Sequence, residues 1–310
     1  MNKYLKSLAP IYKTLLISGV TLFLVNTYTV IYFNQRITLK NEGIMEVVFL
    51  NVGQGDSILI ITPNRNKILI DAGINEIVIR KISEHLHFFD KKIDLLITTH
   101  PDSDHIGGVP SLLKKYEFAQ YGFYFGASES VSTNQIDELI KNNKINKVNL
   151  RIGDEIILDE DFGIRALVFW PDPDSGIDDK NDQSIVLKVS YNQIDFLLTG
   201  DAGIEVEERL VMAFGNNGYK NMILSQSLES EVLKLGHHGS KNSTTKEFLQ
   251  MIKPNFAIIS AGEDNKFGHP HQEVLDKLNY YNDNIKPITI LDTKKKPVVF
   301  KTNGQDLWVE

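Results

Sequence analysis

Cysteine is absent from this 310-residue chain. Its absence excludes disulfide bonds and thiolate metal sites, so a bound metal ion would need imidazole, carboxylate, amide or water ligands. Histidine is also scarce, with eight residues in all, and any clustering of histidines is therefore informative. The net charge of −7 argues against a protein that coats nucleic acid over its whole surface, although it leaves room for a local basic groove.

The N-terminal region contains one long segment without charge. Residues 14–33 include no Asp, Glu, Lys or Arg, and this length is about what crosses the core of a bilayer. Three lysines precede the segment and indicate a cytoplasmic N-terminus: Lys3, Lys6 and Lys13. A cleaved signal peptide and a buried globular helix are the alternative interpretations. We predict four regions: a cytoplasmic N-terminus (1–13), a transmembrane anchor (14–33), a linker (34–43) and an extracytoplasmic domain (44–310).

Short strand-like runs and helical periodicities follow residue 44. The apolar runs are separated by Gly, Asn, Asp and Pro, as expected of strands joined by turns. They predict strands over 45–50, 57–62, 67–71, 93–98, 154–158, 163–169, 184–190, 194–199, 231–235, 255–260, 287–291, 297–301 and 306–309. Apolar residues at helical spacing predict helices over 75–86, 109–116, 134–142, 203–214, 244–252 and 271–280. Strands are grouped at both ends with helices between them, which favours two packed sheets covered by helices. The segment 215–229 is expected to be a surface insertion.

Histidines and aspartates are concentrated just after the strand-like runs. Six of the eight histidines form close pairs: His100 and His105, His237 and His238, His269 and His271. Strand ends that converge on one edge of a sandwich provide a rigid mount for a site. Imidazole and carboxylate without thiolate suit a divalent ion such as Zn²⁺ or Mn²⁺. We interpret the remaining histidines, His85 and His87, as a surface pair at a helix end.

The segment HPDSDH (100–105) is similar to the His-x-His-x-Asp-His signature of the metallo-β-lactamase superfamily. Asp102 stands where the second histidine of that signature usually stands. The later segments TGD (199–201) and GHHGS (236–240) resemble the bridging-aspartate and final-histidine motifs of the same superfamily. The resemblance implies an α+β fold, a four-layer αβ/βα sandwich, preceded here by one transmembrane helix.

Six motifs, in the expected order, resemble the metallo-β-lactamase-like domain of the ComEC family of bacterial competence proteins: FLNVGQGDS, THPDSDHIGG, NDQSIVLKV, FLLTGD, LKLGHHGS and GHPH. The match covers about residues 45–285. The ComEC family carries a DNA-uptake channel of many helices and an OB-like module, whereas this chain has one apolar span. We therefore expect a tethered, stand-alone version of the nuclease-like domain at a bacterial cell membrane, and not a channel.

Carried over by position, the resemblance implies a two-ion site. The implied ligands are His100 and Asp102 for the first ion, Asp104, His105 and His237 for the second, and Asp201 as the bridge. In the superfamily a further histidine normally completes the coordination of the first ion, but residues 106–200 contain no histidine. Asn181 and Asp182 are therefore possible additional ligands. Because an oxygen-rich shell favours harder ions, we expect two divalent ions per chain, Mn²⁺ ahead of Zn²⁺.

Three residues are predicted to take part in the chemistry: Asp104, His238 and His269. His269 would orient a phosphate or donate a proton to the leaving group, while His271 would cap the following helix. Asp56 is interpreted as structural, with a hydrogen bond to a metal ligand as the alternative. Asp71 is expected to support the site from the end of its strand.

The predicted chemistry is hydrolysis by water that divalent ions acidify. The ComEC-like motifs favour a nuclease or other phosphodiesterase acting on DNA, with the membrane as a second partner through the anchor; no protein partner can be deduced. The alternatives are a hydrolase of a small ester, lactone or β-lactam on the same fold, and a non-catalytic binding protein with a degenerate metal site. Measuring the metal content of the purified protein would distinguish a non-catalytic binding protein from the two kinds of enzyme.

Overall fold

The structure, a computed structural model, describes residues 2–124, 131–215 and 227–310. It divides into two compact units, Met1–Glu42 and Gly43–Glu310. The insertion predicted over 215–229 lies mostly outside the described residues.

The N-terminal unit is a single helix, α1 (Asn2–Asn41). Its stretch Lys13–Ile31 is long and apolar enough to cross a membrane, and no part of it is buried inside the chain. Three threonine hydroxyls donate to carbonyl oxygens four residues earlier, so they need no solvent partner: Thr21, Thr27 and Thr29. Residues 34–41, which we expected to belong to a linker, continue the helix instead. Neither Gly nor Pro interrupts the segment before Gly43, whose φ of +64° departs from helical geometry.

The strands of the C-terminal unit are numbered in chain order. They are β1 (Met45–Phe49), β2 (Ile58–Ile61), β3 (Lys67–Ile70), β4 (Lys92–Thr98), β5 (Glu117–Phe123), β6 (Asn146–Asn149), β7 (Glu155–Asp159), β8 (Ile164–Trp170), β9 (Val186–Tyr191), β10 (Ile194–Leu198), β11 (Val232–Lys234), β12 (Phe256–Ile259), β13 (Thr289–Asp292), β14 (Val298–Thr302) and β15 (Leu307–Val309). The described helices are α2 (Ile77–Ser83), α3 (Ser103–Ile106), α4 (Val109–Lys115), α5 (Val131–Asn142), α6 (Ile204–Phe214), α7 (Lys246–Ile252) and α8 (Gln272–Asn284), with a 3₁₀ turn at Gly236–Gly239.

Two mixed sheets pack face to face. One has the order β15-β14-β1-β2-β3-β4-β5-β6 and the other β13-β12-β11-β10-β9-β8-β7. A central core takes apolar side chains from both sheets, for example Phe49, Ile97, Phe196 and Phe300. A second core lies between the first sheet and the helices α2, α4 and α5, and a third between the second sheet and α6, α7 and α8. Three cores separate four layers, which confirms the predicted αβ/βα sandwich.

Every strand and helix predicted after residue 44 is present, with ends that shift by a few residues. Two strands, β5 and β6, have no counterpart in the prediction. The sequence of β6, NKVN, contains one apolar residue, and all four of its residues are exposed. It is a strand because its backbone pairs in parallel with β5. Backbone pairing of exposed residues produces no alternation of apolar side chains, so the sequence of β6 does not predict a strand.

The parallel strands place their carboxyl ends at one edge of the sandwich. In the first sheet β3, β4, β5 and β6 pair in parallel, and in the second sheet β10, β11, β12 and β13 do. The residues that follow these ends carry the polar motifs. Because parallel strands present their carboxyl ends on the same side, segments distant in sequence meet there.

Candidate metal centre

Asp201 lies at the centre of a buried group of imidazoles. Its Oδ1 is 3.3 Å from His105 Nε2. Its Oδ2 is 3.3 Å from His238 Nε2 and 3.8 Å from His100 Nε2. The same His238 nitrogen is 3.3 Å from Asp104 Oδ2. The position of Asp201, with each oxygen facing different imidazoles, is the one that a bridging carboxylate needs.

The other ring nitrogen of each buried histidine is held by a hydrogen bond. His105 Nδ1 contacts Asp71 Oδ2 at 2.8 Å, and His238 Nδ1 contacts the carbonyl oxygen of Ser260 at 2.8 Å. His100 Nδ1 lies 3.1 Å from Thr99 Oγ1, whose single proton is donated to Asp71 at 2.7 Å. All three Nδ1 atoms are therefore donors, so each neutral ring presents a lone pair at Nε2.

These lone pairs fit a cation. Within the described part of the chain, the Nε2 atoms of His100, His105 and His238 are buried without a hydrogen-bond partner, as is Asp201 Oδ1. Buried polar atoms are almost always paired in proteins, so unpaired imidazole nitrogens that surround a carboxylate form a donor set suited to a divalent cation. Asp56, His105, Asp201 and His238 also place one ligand atom each within 4.8 Å of one another.

The charges at this site are strongly coupled. Burial opposes ionisation of Asp201, but His238 and His105 hold its pKa well below the usual range. Burial likewise opposes protonation of the two rings, yet the neighbouring carboxylates raise the pKa of His105 and of His238 well above the ordinary value. The pKa of His100 is lowered by burial and by His105. The carboxylates thus favour positive charge, on a ring or on a bound cation, in the buried group around Asp201.

A buried lysine, which the sequence analysis did not identify, supplies one such charge. Lys234, at the end of β11, is fully buried and forms an ion pair with Asp56 Oδ2. Its ammonium also lies 3.7 Å from Asp201 Oδ1 and donates to the carbonyl oxygen of Gly200 at 2.7 Å. Although burial opposes ionisation, Lys234 and His238 lower the pKa of Asp56 to about 2. By distance Asp56 belongs to the ligand group, but its nearest cation is this lysine. We therefore regard Asp56 as a partner of Lys234.

The two adjacent histidines, which we predicted as a metal ligand (His237) and a catalytic residue (His238), differ in burial. His238, assigned to catalysis, is buried among the ligand candidates, while the side chain of His237, assigned to the second ion, is 29% exposed with its Nε2 3.9 Å from Asp201 Oδ2. Both residues have left-handed backbone angles, with φ of 47° and 57°. This turn directs the second imidazole inward, and such strained angles in non-glycine residues are typical of functional sites.

Asp102 lies at the edge of the group rather than inside it. Its carboxylate pairs with the ammonium of Lys180 and is 24% exposed. Asp182 Oδ1 accepts a hydrogen bond from Gly203 N at 2.8 Å, and so fixes the loop that follows Asp201. Asn181 keeps a buried Oδ1 without a hydrogen-bond partner among the described residues, which makes it the better candidate of these two for an additional ligand.

Two glycines let the HPDSDHIGG segment pack against the loop that follows β3. A Cβ on Gly107 would lie 2.1 Å from the carbonyl oxygen of Ile74, and one on Gly108 would lie 2.3 Å from that of Ala72. Neither glycine has a positive φ, so close approach of the two backbones is the reason for glycine here. The packing holds α3, which carries Asp104 and His105, beside Asp71.

His269 stands at the open side of the group. Its ring centroid is 5.6 Å from that of His237 and 6.0 Å from that of His238. Asn265 holds the backbone of His269 through two hydrogen bonds of 2.8 Å. His271 begins α8 but does not cap it; its Nδ1 instead accepts from Lys241 N at 3.0 Å.

A buried glutamate of α6 supports the segment after the histidine pair. The carboxylate of Glu207 accepts hydrogen bonds of 2.6 Å from the backbone N–H groups of Thr244 and Thr245. Burial raises the pKa of Glu207 to about 7, although these hydrogen bonds and nearby Lys277 oppose the shift. Helical spacing places Glu207 on the apolar face of α6 with Leu210 and Phe214, whereas its neighbour Glu208 is exposed.

Replacing Glu207 with glutamine should flatten the pH dependence of folding stability. The folded pKa of about 7 exceeds the ordinary value of 4.5, so the native state binds the proton more tightly. The stability gained by this binding is fully present below pH 4.5 and is lost as pH rises to about 7; it amounts to about 3 kcal/mol. The melting temperature of wild type minus that of Glu207→Gln should decrease across this window. A difference that stays constant from pH 4.5 to 7.5 would contradict the assignment.

Comparison with known proteins agrees with this site. The family model of the metallo-β-lactamase superfamily matches residues 50–263, and the chain belongs to this superfamily, whose members are typically metal-dependent hydrolases. It is 32% identical over 262 residues to ComE operon protein 3 of Bacillus subtilis, covering 79% of this chain and 31% of that protein. It is 30% identical over 245 residues to competence protein ComA of Neisseria gonorrhoeae, covering 77% and 30%. The predicted resemblance to competence proteins is confirmed, and the chain spans about a third of the length of these relatives.

Proposed function

We propose that this chain is a membrane-tethered, metal-dependent phosphodiesterase that acts on DNA. The observation that carries the proposal is the arrangement of three unpaired imidazole nitrogens around the carboxylate of Asp201. Such a donor set suits divalent ions of the Zn²⁺ or Mn²⁺ type. The similarity to competence proteins supports DNA over a small ester, lactone or β-lactam as the substrate.

The positions of the described side chains indicate which residues would hold the ions. His100, Asp104, His105 and His238 would hold the ions together with Asp201, and Asn181 is an additional candidate because its buried Oδ1 has no hydrogen-bond partner among the described residues. Asp102 would join them if its carboxylate were released from Lys180. Bound divalent ions would acidify water and offset negative charge on the phosphate.

The protein contributes orientation and hydrogen bonding around this chemistry. Asp71 and Ser260 hold two of the imidazoles in the tautomer that presents Nε2 to the site. Burial, His238 and His237 lower the pKa of His269 to about 4, so this ring is neutral at neutral pH. It would therefore orient a phosphate oxygen by donating a hydrogen bond, rather than deliver a proton from an imidazolium.

Metal removal should abolish DNA hydrolysis reversibly. We expect the purified full-length chain, in detergent, to contain about two divalent ions by mass spectrometry and to degrade DNA. After dialysis against EDTA the activity should be lost, and it should return with Mn²⁺ more fully than with Zn²⁺, because carboxylate and amide oxygens must supply the ligands that the three imidazoles do not. Nitrocefin serves as the alternative substrate. Full DNA hydrolysis in EDTA, or turnover of nitrocefin in preference to DNA, would overturn the proposal.

The domain after α1 should lie outside the cytoplasm. The positive charges that precede the apolar stretch favour a cytoplasmic N-terminus, and a single crossing then exports the rest of the chain. Alkaline phosphatase fused after Glu310 should be active in bacterial cells, and green fluorescent protein fused at the same place should be dark. The opposite pair of readings would place the hydrolase domain in the cytoplasm.

A further inference from the structure

An exposed aromatic ring stands beside the candidate metal centre. Phe267 is 60% exposed, although a large apolar side chain gains free energy when it leaves water. Its ring stacks on that of His269, with centroids 5.7 Å apart and an angle of 22° between the planes. One face of the phenyl ring is therefore directed at His269, and much of the rest is open to solvent.

This ring is joined to the site through a continuous series of contacts. Phe267 stacks on His269, and His269 packs against His237, which reaches Asp201. Asn265 forms hydrogen bonds with the backbone of the same loop at Gly262 and at His269. The loop also contains the exposed cation Lys266, next to Phe267 in sequence. An aromatic face and a positive charge thus stand together within one or two side chains of the place where the phosphate would bind.

We propose that Phe267 is a stacking platform for an unpaired nucleobase, and that the substrate of the site is single-stranded nucleic acid. The inference rests on the proposed phosphodiesterase function and names its substrate class more narrowly. Every base has an aromatic face, so stacking on a phenyl ring binds single strands without sequence preference. Inside a duplex both faces of each base are covered by neighbouring pairs, so a fixed ring at the site selects against intact double strands.

The test separates stacking from phosphate binding by removing the bases. The probes are fluorescein-labelled dT12, a 12-mer of the same backbone made of abasic tetrahydrofuran residues, and a blunt hairpin duplex. Binding is measured by fluorescence anisotropy on the full-length chain in detergent with EDTA, where no turnover occurs. The wild type should bind dT12 about tenfold more tightly than the abasic strand or the duplex, which is the size of effect that stacking one base on an aromatic ring produces.

Substitutions at Phe267 should act on this preference alone. Phe267→Ala should bind dT12 only as well as the abasic strand, and Phe267→Tyr should keep the preference. The matched control is Phe89→Ala, which removes a phenylalanine that is 73% exposed and precedes β4, at the opposite end of the strand from His100. In cleavage assays with Mn²⁺, Phe267→Ala should raise KM for dT12 about tenfold with kcat nearly unchanged, and should cleave the abasic strand as the wild type does.

The outcomes distinguish the two proposals. Equal binding of dT12 and the abasic strand by the wild type, or no measurable binding of either, overturns the stacking role. An undiminished preference in Phe267→Ala, or the same loss in Phe89→Ala, overturns it as well. A base preference that depends on Phe267 supports the inference even in a protein that hydrolyses no phosphodiester, and that absence of hydrolysis would overturn the proposed function alone.

Discussion

Replacing Asp201 with asparagine should remove hydrolysis and metal binding together. Asparagine keeps the shape of the side chain but replaces one ligand oxygen with an amide N–H₂ group, which cannot bind a cation. Removing a group that only supports a metal ligand lowers metal affinity or activity roughly 10–100-fold. Because Asp201 faces the ligand candidates directly, we expect its replacement to lower activity more, by about 10³-fold. Bound metal, measured by mass spectrometry, should fall below the wild-type content.

The matched control is Asp195→Asn, at the other end of the same strand. Asp195 pairs with Lys188 at 3.0 Å and lies away from the carboxyl end of β10, so activity and metal content should stay near the wild-type values. The side chain of Asp201 is only 4% exposed. An isosteric change is therefore needed to keep the fold. Wild-type hydrolysis and full metal content in Asp201→Asn would show that this carboxylate is not a ligand.

Replacing Lys234 with methionine should destabilise the metal-free protein more than the same change at Lys188. The substitution leaves Asp56 as a buried carboxylate without its ammonium partner and removes a cation from the neighbourhood of Asp201. Breaking a buried ion pair in this way costs about 3–5 kcal/mol, which corresponds to roughly 10 °C in melting temperature for a domain of this size. Tryptophan fluorescence during heating in EDTA measures the change.

Two further variants show whether the charge is responsible. Lys188→Met removes another buried lysine, but its partner Asp195 is 22% exposed and can be solvated, so the loss should be smaller. Lys234→Met combined with Asp56→Asn removes both charges and should recover much of the lost stability, because the uncompensated carboxylate is then gone. A single Lys234→Met variant as stable as the wild type would show that Asp56 is not dependent on this lysine.

Several features of the chain could be predicted because they depend on residues close together in the sequence or on amino-acid composition. The absence of cysteine restricts the ligands to imidazole and oxygen, and the resemblance of the motifs to the metallo-β-lactamase superfamily implied the αβ/βα sandwich. The strand-like runs that end in Asp71, His100 and Asp201 are recognisable from apolar runs followed by polar turns. The uncharged stretch of α1 is visible from composition alone.

Other features depend on contacts between segments far apart in sequence. The helix α1 continues past the apolar stretch because neither Gly nor Pro interrupts it before Gly43. The polar composition of residues 34–41 predicted a linker and did not reveal this continuation. Lys234 occupies a short apolar strand, VLKLG, where a single lysine is the sole signal of a buried charge. Its partner Asp56 is distant in sequence, and only the packing of the two sheets brings them together.

The residue types, their order and the strand ends from which they project can be read from the sequence, and they indicate the chemistry of the ligands. Which atom of each residue faces the site depends on contacts made only in the folded chain. His237 and His238 are adjacent and identical in type, and only the left-handed turn at their backbone directs the second inward. The hydrogen bonds that His105 and His238 donate to Asp71 and to the carbonyl oxygen of Ser260 then decide which imidazole nitrogen is free, because a tautomer is set by the partner across the ring and not by the residue itself.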